Sequence, residues 1–527
     1  ALPTQKSTPC KTKYPLQIEA ALEKIISCLE SKPLGKLSLR FVALRLLEGN
    51  ESFLASLTAI AGQDFLDEGL KETLETQKKA LSLCGYDERR LCDEIASAHV
   101  KKAEAIAKEA VACTAKRSDA FDRKLDGIFT HRLLAYPFMA LLFALVFYIT
   151  VVGANAPSDW LSRHLFAFGV WGQEKLLSLG AAPWLCGLLF DGLYRTLAWV
   201  VAVMLPPMAI FFPLFTLLED IGYLPRIAYN LDRPFRLCGG CGKQALTMCM
   251  GFGCNAVGVT GCRIIDSKRE RLLAILTNAF VPCNGRFPAL LTLCIMLFLA
   301  GAGGTTAFLS ALALCFAVLL GVLVTFLATK LLSVTLLSGE PSAFALELPP
   351  YRLHKVGEVL VRSVFDRTLF VLGRSVSVAA PAGVVIWILS HLTVKEMPLI
   401  SHLSSFLDPF ASLLGLDGVI LLAFILALPA NEIVFPLMIM MYSGGGTLVD
   451  VQSTESLYSL LVANGWTACT VICTLLFTLF HFPCSTTILT VKKETGSLKW
   501  TLAAALLPFL FGIVFCMLFC ALYRGLF

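Results

Sequence analysis

Eight residues with ligating or hydrogen-bonding side chains stand at four interruptions of otherwise apolar sequence. They are Cys254 and Asn255 in GFGCNAVGVTGCR, Cys283 and Asn284 in VPCNGRFP, Asn431 and Glu432 in LPANE, and Cys484 and Ser485 in FPCSTTI. Thiolate together with amide and carboxylate oxygen suits a borderline-soft divalent transition ion better than Na⁺ or Mg²⁺. Glu432 is the only carboxylate well inside an apolar run. Placing it at membrane depth costs on the order of 3 kcal/mol, so it should meet a cation, a proton or a base; the plainer reading is a helix-capping Glu. The candidate metal-ligating set is Cys254, Asn255, Cys283, Asn431, Glu432, Cys484 and Ser485. A lone cysteine in a continuous apolar helix is a small buried hydrophobe, which is how Cys294, Cys315, Cys469, Cys473, Cys516 and Cys520 are read. Cys238 and Cys241 have redox or metal spacing, but a single C-x-x-C in a loop is a weak signal. Cys249 has no assigned role, and His131 and His481, at the ends of apolar runs, read as packing or interfacial residues.

The elements that must position these residues are membrane helices. Over 527 residues, 56% are hydrophobic and 37 are Phe, with mean hydropathy +0.73, which excludes an ordinary soluble protein. Residues 1–130 hold 20 Lys+Arg and 19 Asp+Glu, and the other 397 hold only 24 and 19. A soluble domain therefore precedes a membrane domain. The net charge of +6 is scattered, which argues against nucleic acid as a partner. Most of the 19 cysteines lie in apolar runs and are expected as reduced thiols. In the soluble part, Ile18, Leu22, Ile25, Ile26 and Leu29 recur at helical spacing, LSLRFVALRLLEG does the same up to Gly49, and DERRLCDEIASAHVKKAEAIAKEAV carries a further helix. Such a bundle is by default a regulatory or docking module.

Nine apolar runs are long enough to enter a bilayer: 133–153, 193–218, 244–264, 272–300, 304–333, 375–393, 418–442, 457–490 and 500–523. Basic residues flank 244–264 at both ends, so it should enter from the cytoplasm and return; no Lys or Arg flanks 418–442, which should do the same from outside. The two resemble each other. LDRPFRLCGG precedes the first and LDPFASLLG the second, Asn255 and Asn431 follow Phe235 and Phe410 by 20 and 21 residues, and each is followed by a Pro-Cys break. The uncharged AGAGGTT follows one break and the basic KKETGSLK the other, so the copies have opposite orientation. The expectation is a polytopic α-helical membrane protein with inverted repeats of broken, re-entrant helices, whose site forms at the midplane, preceded by a small soluble helical bundle. Its parts are 1–130, the cytoplasmic helical domain and linker; 131–340, the first membrane half; 341–374, a basic cytoplasmic connector; and 375–527, the second, inverted half. Loops 226–243, 265–271, 352–368 and 492–499 should be cytoplasmic, and 301–304, 395–416 and 443–456 outside.

No nucleotide-binding loop appears; GGCGKQ at 239–244 has the wrong spacing and no hydroxyl after the Lys. H-E-x-x-H and G-x-S-x-G are also missing, which argues against a membrane-embedded hydrolase, and no catalytic residue is assigned. A symporter of an organic solute such as a nucleoside would explain the repeats but would not need cysteines at the breaks.

The sequence resembles the ferrous iron transport protein B (FeoB) family from about residue 14 to 520. FRLCGGCGKQALTMCMGFGCNAVGVTGCRIIDSKRERLLAILTNAFVPCNGRFP is similar to that family's first gate region, and LPANEIVFPLM with FPCSTTILTVKKETGSLKWTL to its second. LELPPYRLHKVGEVLVRSVFDRTLFVLGRS is similar to the segment between them. The resemblance implies uptake of Fe²⁺ across the cytoplasmic (inner) membrane of a bacterium or archaeon, with Cys254 and Cys283 matching the gate cysteines. It also implies that residues 14–115 are the cytoplasmic helical domain that follows a GTP-binding domain. The sequence as given does not include that domain, so GTP and Mg²⁺ would act only through a GTPase domain in cis or in trans. Small cytoplasmic Feo-type accessory proteins are further implied partners. Cys241 and Cys249 depart from the usual gate pattern.

Overall fold

A computed structural model describes residues 12–526 apart from 31, 33–36, 50–52, 55–56, 58–64, 66, 111–117, 132, 300–305, 340–347, 349–350, 352–356, 358–360, 362, 395–396, 445–447 and 449–453. The expected connector at 341–374 and the loops at 352–368, 301–304 and 443–456 fall largely outside the described residues. Two compact units are formed, Ala1–Ser118 and Asp119–Phe527.

The first unit is helical: α1 (Leu16–Leu29), α2 (Leu39–Glu48), α3 (Glu68–Leu83) and α4 (Glu88–Ala110). Ile18, Leu22, Ile25 and Leu29 are fully buried, and Ile26 packs beside them, because spacing of three and four places them on one face of α1. Gly49, at φ 73°, ends α2 in the left-handed conformation that glycine adopts without strain. α3 is polar along most of its length; Asp67 caps it by accepting from the Leu70 N–H at 3.0 Å. Arg40 clasps Glu19 through two nitrogens, at 2.6 and 2.8 Å, and this hydrogen-bonded guanidinium holds the Glu19 carboxyl below its ordinary range.

In the second unit, α5 (Ser118–Phe129) leads into α6 (Ala135–Ser178) and α7 (Pro183–Ile221), the latter interrupted by a π-helical turn at Gly187–Tyr194. The unit continues through α8 (Tyr223–Leu237), α9 (Lys243–Gly253), α10 (Asn255–Gly261), α11 (Lys268–Thr277), α12 (Phe287–Leu299), α13 (Thr306–Val334) and α14 (Phe370–His391). After a two-stranded ribbon pairing Thr393 with Pro398 come α15 (Leu399–Leu413), α16 (Gly418–Leu426), α17 (Val434–Tyr442), α18 (Thr454–Ala463), α19 (Ala468–Phe480), α20 (Ser485–Thr495) and α21 (Leu498–Leu526). Seven stretches among the described residues are long and apolar enough to cross a membrane. On α13, Leu312, Phe316, Leu319, Leu323 and Leu327 are exposed while Ala317, Val324 and Ala328 are buried. A helix with one apolar face packed and another apolar face bare is suited to lipid; the protein is an integral membrane protein.

Two helices differ from their apolar runs. The run at 133–153 continues as a 44-residue helix to Ser178, past Pro157; apolarity stops before the helix does, and the extension exposes Trp160, Phe168 and Trp171. The run at 457–490 divides into α18, α19 and α20: the break after Phe480 is the expected Pro-Cys break, and the one after Ala463 is additional.

The internal repeat is visible bond by bond. The Asp232 carboxylate accepts from the Gly242 N–H at 2.8 Å, and Asp408 accepts from Gly418 at 2.7 Å. Gly240 donates to Phe235 O at 2.9 Å, and Leu416 to Ala411 O at 3.0 Å. Gly239 and Gly415 turn the two corners at φ 83° and 72°, and α15 and α16 meet at 109°. Beyond each corner the helix ends at an extended residue, Cys254 (φ −157°, ψ 123°) or Ala430 (φ −151°, ψ 119°). Each second-repeat residue lies 176 positions after its counterpart. The following spans start on matching caps, Ser267 and Thr467. They break at matching turns, where Arg286 N–H donates to Cys283 O at 2.8 Å and Thr487 N–H to Cys484 O at 2.9 Å.

Candidate functional site

Four chain breaks supply the candidate residues, and each has its own way of satisfying freed backbone groups, as a membrane interior requires. At the first, α9 gives way to α10 at Cys254. Asn278, in the short turn after α11, donates through Nδ2 to Asn255 O at 3.0 Å. Its carboxamide sits where a methyl group on Gly258 would fall only 2.6 Å from it, so glycine there is a packing requirement. At the third break, Pro429 interrupts the helix after α16. The Ser485 N–H donates to Leu428 O at 2.8 Å and its hydroxyl to Pro429 O at 3.4 Å; the fourth break thus satisfies carbonyls released at the third.

The second break is tied to the second repeat by Arg286, which is 1% exposed. Its guanidinium donates to Ala279 O at 3.2 Å, Leu479 O at 2.9 Å, His481 O at 3.1 Å and Phe482 O at 3.3 Å. These carbonyls lie at or beyond the C-terminal ends of two half-helices, where the partial charge of the backbone is negative and a cation is favoured. Gly285 lets the Glu432 carboxylate approach: a methyl at Gly285 would collide with Oε1 of Glu432. Cys283 opens the short turn that carries Gly285 and Arg286, and Cys484 caps α20 next to Ser485.

The predicted residues are therefore brought near one another to different degrees. Cys254 and Cys283 are buried, while Cys484 is partly buried with its sulfur 3.3 Å from Thr487 Oγ1. Glu432 is partly buried between the second and third breaks. Asn255 and Asn431 are buried; Asn431 pairs with His481 Nε2 at 3.2 Å. Ser485 is committed to backbone carbonyls. Among the described residues, no three His, Cys, Asp or Glu side chains stand close enough to hold one metal ion. Thiols, amides and one carboxylate thus stand at four breaks across two repeats and form no closed cage among the described residues.

Sequence reasoning missed Arg286, Asn278 and Gln244, and gave His481 only a packing or interfacial role. The signal for Arg286 was present, since an Arg inside VPCNGRFP is a charge at membrane depth. Cys469, Cys473, Cys516 and Cys520 are buried together where α19 packs on α21; Cys516 donates to Cys473 O at 3.3 Å.

Repeated broken helices in a polytopic membrane unit, with ligating side chains collected at the breaks, define a gate-type membrane transporter. Three family models match along the chain: the FeoB cytosolic helical domain over residues 14–112, the Gate model described as nucleoside recognition over 201–297 and 373–498, and the ferrous iron transport protein B C terminus over 314–366. The chain belongs to the ferrous iron transport protein B (FeoB) family. It is 26% identical over 524 residues to the Fe(2+) transporter FeoB of Staphylococcus aureus, covering 97% of this chain and 74% of that one. The Methanocaldococcus jannaschii Fe(2+) transporter FeoB is 28% identical, with 93% and 71% covered. A Porphyromonas gingivalis Fe(2+) transport protein A/Fe(2+) transporter FeoB fusion protein is 25% identical, with 93% and 62% covered. No solved structure matches.

Proposed function

We propose that this chain moves Fe²⁺ across the cytoplasmic membrane through a midplane path between its two gate repeats. The observation that carries this reading is the approach of Glu432 to Gly285, which brings the carboxylate of the third break onto the turn that Cys283 opens. Sulfur with oxygen favours a borderline-soft divalent ion. The matched relatives are named as Fe(2+) transporters, which favours iron over an organic solute.

The basic flanks support a cytoplasmic position for the first unit and for the corner at Gly239–Gly242, with the Gly415 corner outside. Residues 14–112 match a cytosolic domain model, which supports coupling to a GTPase domain in cis or in trans. The transport protein A fusion in Porphyromonas gingivalis supports small accessory partners.

The test is radioactive Fe²⁺ uptake into proteoliposomes, with Mn²⁺, Zn²⁺, Mg²⁺ and a nucleoside as competitors. Saturable Fe²⁺ uptake reduced by soft divalent ions but not by Mg²⁺ or the nucleoside is expected. Uptake no greater than in empty liposomes, with or without an added GTPase partner, contradicts the reading.

A further inference from the structure

Three carboxamide oxygens in the first repeat are buried and have no hydrogen-bond donor among the described residues: Gln244 Oε1, Asn255 Oδ1 and Asn278 Oδ1. Their residues are 2%, 3% and 3% exposed. For Gln244 the surroundings fix which way the amide points. Its Nε2 donates to Thr277 Oγ1 at 2.9 Å and to Thr329 Oγ1 at 3.0 Å. Both hydroxyls already spend their protons on Leu273 O and Thr325 O, each at 2.8 Å, and can only accept. Oε1 is thus turned toward Gly240, where a methyl group would collide with it. For Asn278, Nδ2 is held by Asn255 O, which turns Oδ1 toward Gly251.

Gln244 and Asn278 stand on one side of α9, and Asn255 opens α10 just past its end. Gln244 lies one turn inside the Gly239–Gly242 corner, Gly251 seven residues further along α9 on the same face, and Asn255 just beyond Cys254. Ten residues of helix span roughly 15 Å, about half of the ~30 Å hydrocarbon core. A buried acceptor without a donor costs about 1–3 kcal/mol, and three of them are a standing liability unless water or a cation meets them.

The second repeat shows that the fold does not need them. The counterpart of Gln244, at the same 176-residue offset, is Ile420; the residue five before Cys484, as Asn278 is five before Cys283, is Leu479. Both are fully buried apolar side chains, and the counterpart of Asn255, Asn431, is paired with His481. Two repeats that share their corner bonds differ here: one carries bare oxygens at these positions, and the other is apolar or paired at the matching ones.

We infer that Gln244, Asn278 and Asn255 line a hydrated, oxygen-only passage for a cation between the Cys254 tip and the Gly240 corner, on the first repeat only. This rests on the transport reading above and gives the path its cytoplasmic leg. Carbonyl-type oxygens replace part of a hydration shell without holding the ion as tightly as thiolates.

The test uses a probe that is not a metal. Inside-out vesicles carrying the full chain are treated with the membrane-impermeant cation methanethiosulfonate-ethyltrimethylammonium, and modification of Cys254 is read by peptide mass spectrometry. Gln244→Ile and Asn278→Leu install the side-chain chemistry of the second repeat; each should slow Cys254 labelling roughly tenfold or more, and slow Fe²⁺ uptake with it, in protein that remains monodisperse. Asn278→Leu also removes the tie to Asn255 O, so Gln244→Ile, which leaves that tie intact, decides if the other fails to fold. Unchanged Cys254 labelling in folded Gln244→Ile overturns the passage even if Fe²⁺ is transported. Slowed labelling in the variants, when the wild-type protein moves no Fe²⁺, keeps the passage and overturns the choice of cargo alone.

Discussion

Arg286 of the first repeat donates to the backbone carbonyl of Leu479 of the second at 2.9 Å, one of four carbonyls its guanidinium collects. Hydrogen bonds from a charged donor each contribute about 1.5–3 kcal/mol, so Arg286→Met, which strands all four, should destabilise the membrane unit by roughly 3 kcal/mol or more. Arg286→Lys keeps the charge but not the planar fork, and should fall between Met and wild type. Thermal unfolding of purified protein in detergent orders the three; equal melting would remove Arg286 from its role as the tie.

Glu432→Gln keeps the side chain's volume against Gly285 and removes its negative charge. Fe²⁺ uptake should drop by roughly tenfold or more, about 1.4 kcal/mol in barrier terms, with insertion and monodispersity preserved. Normal uptake by this variant would reassign Glu432 to a structural cap.

The Asp232–Gly242 and Asp408–Gly418 bonds are the same device used twice. Asp232→Ala and Asp408→Ala should each cost about 1 kcal/mol of stability, and because the two sites share no partner, their losses should add in the double variant. Strongly unequal losses in denaturant unfolding would show that the two corners are not equivalent.

In the first unit, the Arg40 guanidinium lowers the Glu19 carboxyl. A carboxyl lowered on folding adds stability that is complete above its unfolded value, about 4.3, and is lost as pH falls through the lower folded value. The protection factors of α1 amides, corrected for intrinsic exchange, should therefore be flat above about pH 5 and fall in acid, and Glu19→Gln should flatten that acid limb. An acid limb unchanged in Glu19→Gln would mean that other groups carry it.

The membrane-entering runs, the two tips and the matched breaks were legible because apolarity, flanking charge and Pro or Gly interruptions are local signals. The end of α6 was not, since its polar continuation past Pro157 keeps helical geometry after apolarity stops. Arg286 was invisible as a tie because its partners Leu479, His481 and Phe482 are backbone atoms some two hundred positions away. Nor could spacing show that Ser485 would satisfy Leu428 and Pro429, or that Asn278 would wedge against Gly258. Those contacts exist only once the two repeats are packed. Candidate ligands could be named from the sequence, but not the degree to which they gather.

The most direct measurement of the central claim is Fe²⁺ uptake by proteoliposomes containing Cys254→Ser, Cys283→Ser, Cys484→Ser, Cys516→Ser or Cys520→Ser at matched protein levels. Cys254 and Cys283 lie at breaks between helices, whereas Cys516 and Cys520 lie in continuous α21 against α19. Strong loss is expected for Cys254→Ser and Cys283→Ser, an intermediate loss for Cys484→Ser and wild-type uptake for the two controls. Equal damage by the control pair and the break pair would make the thiols packing groups and contradict the transport path.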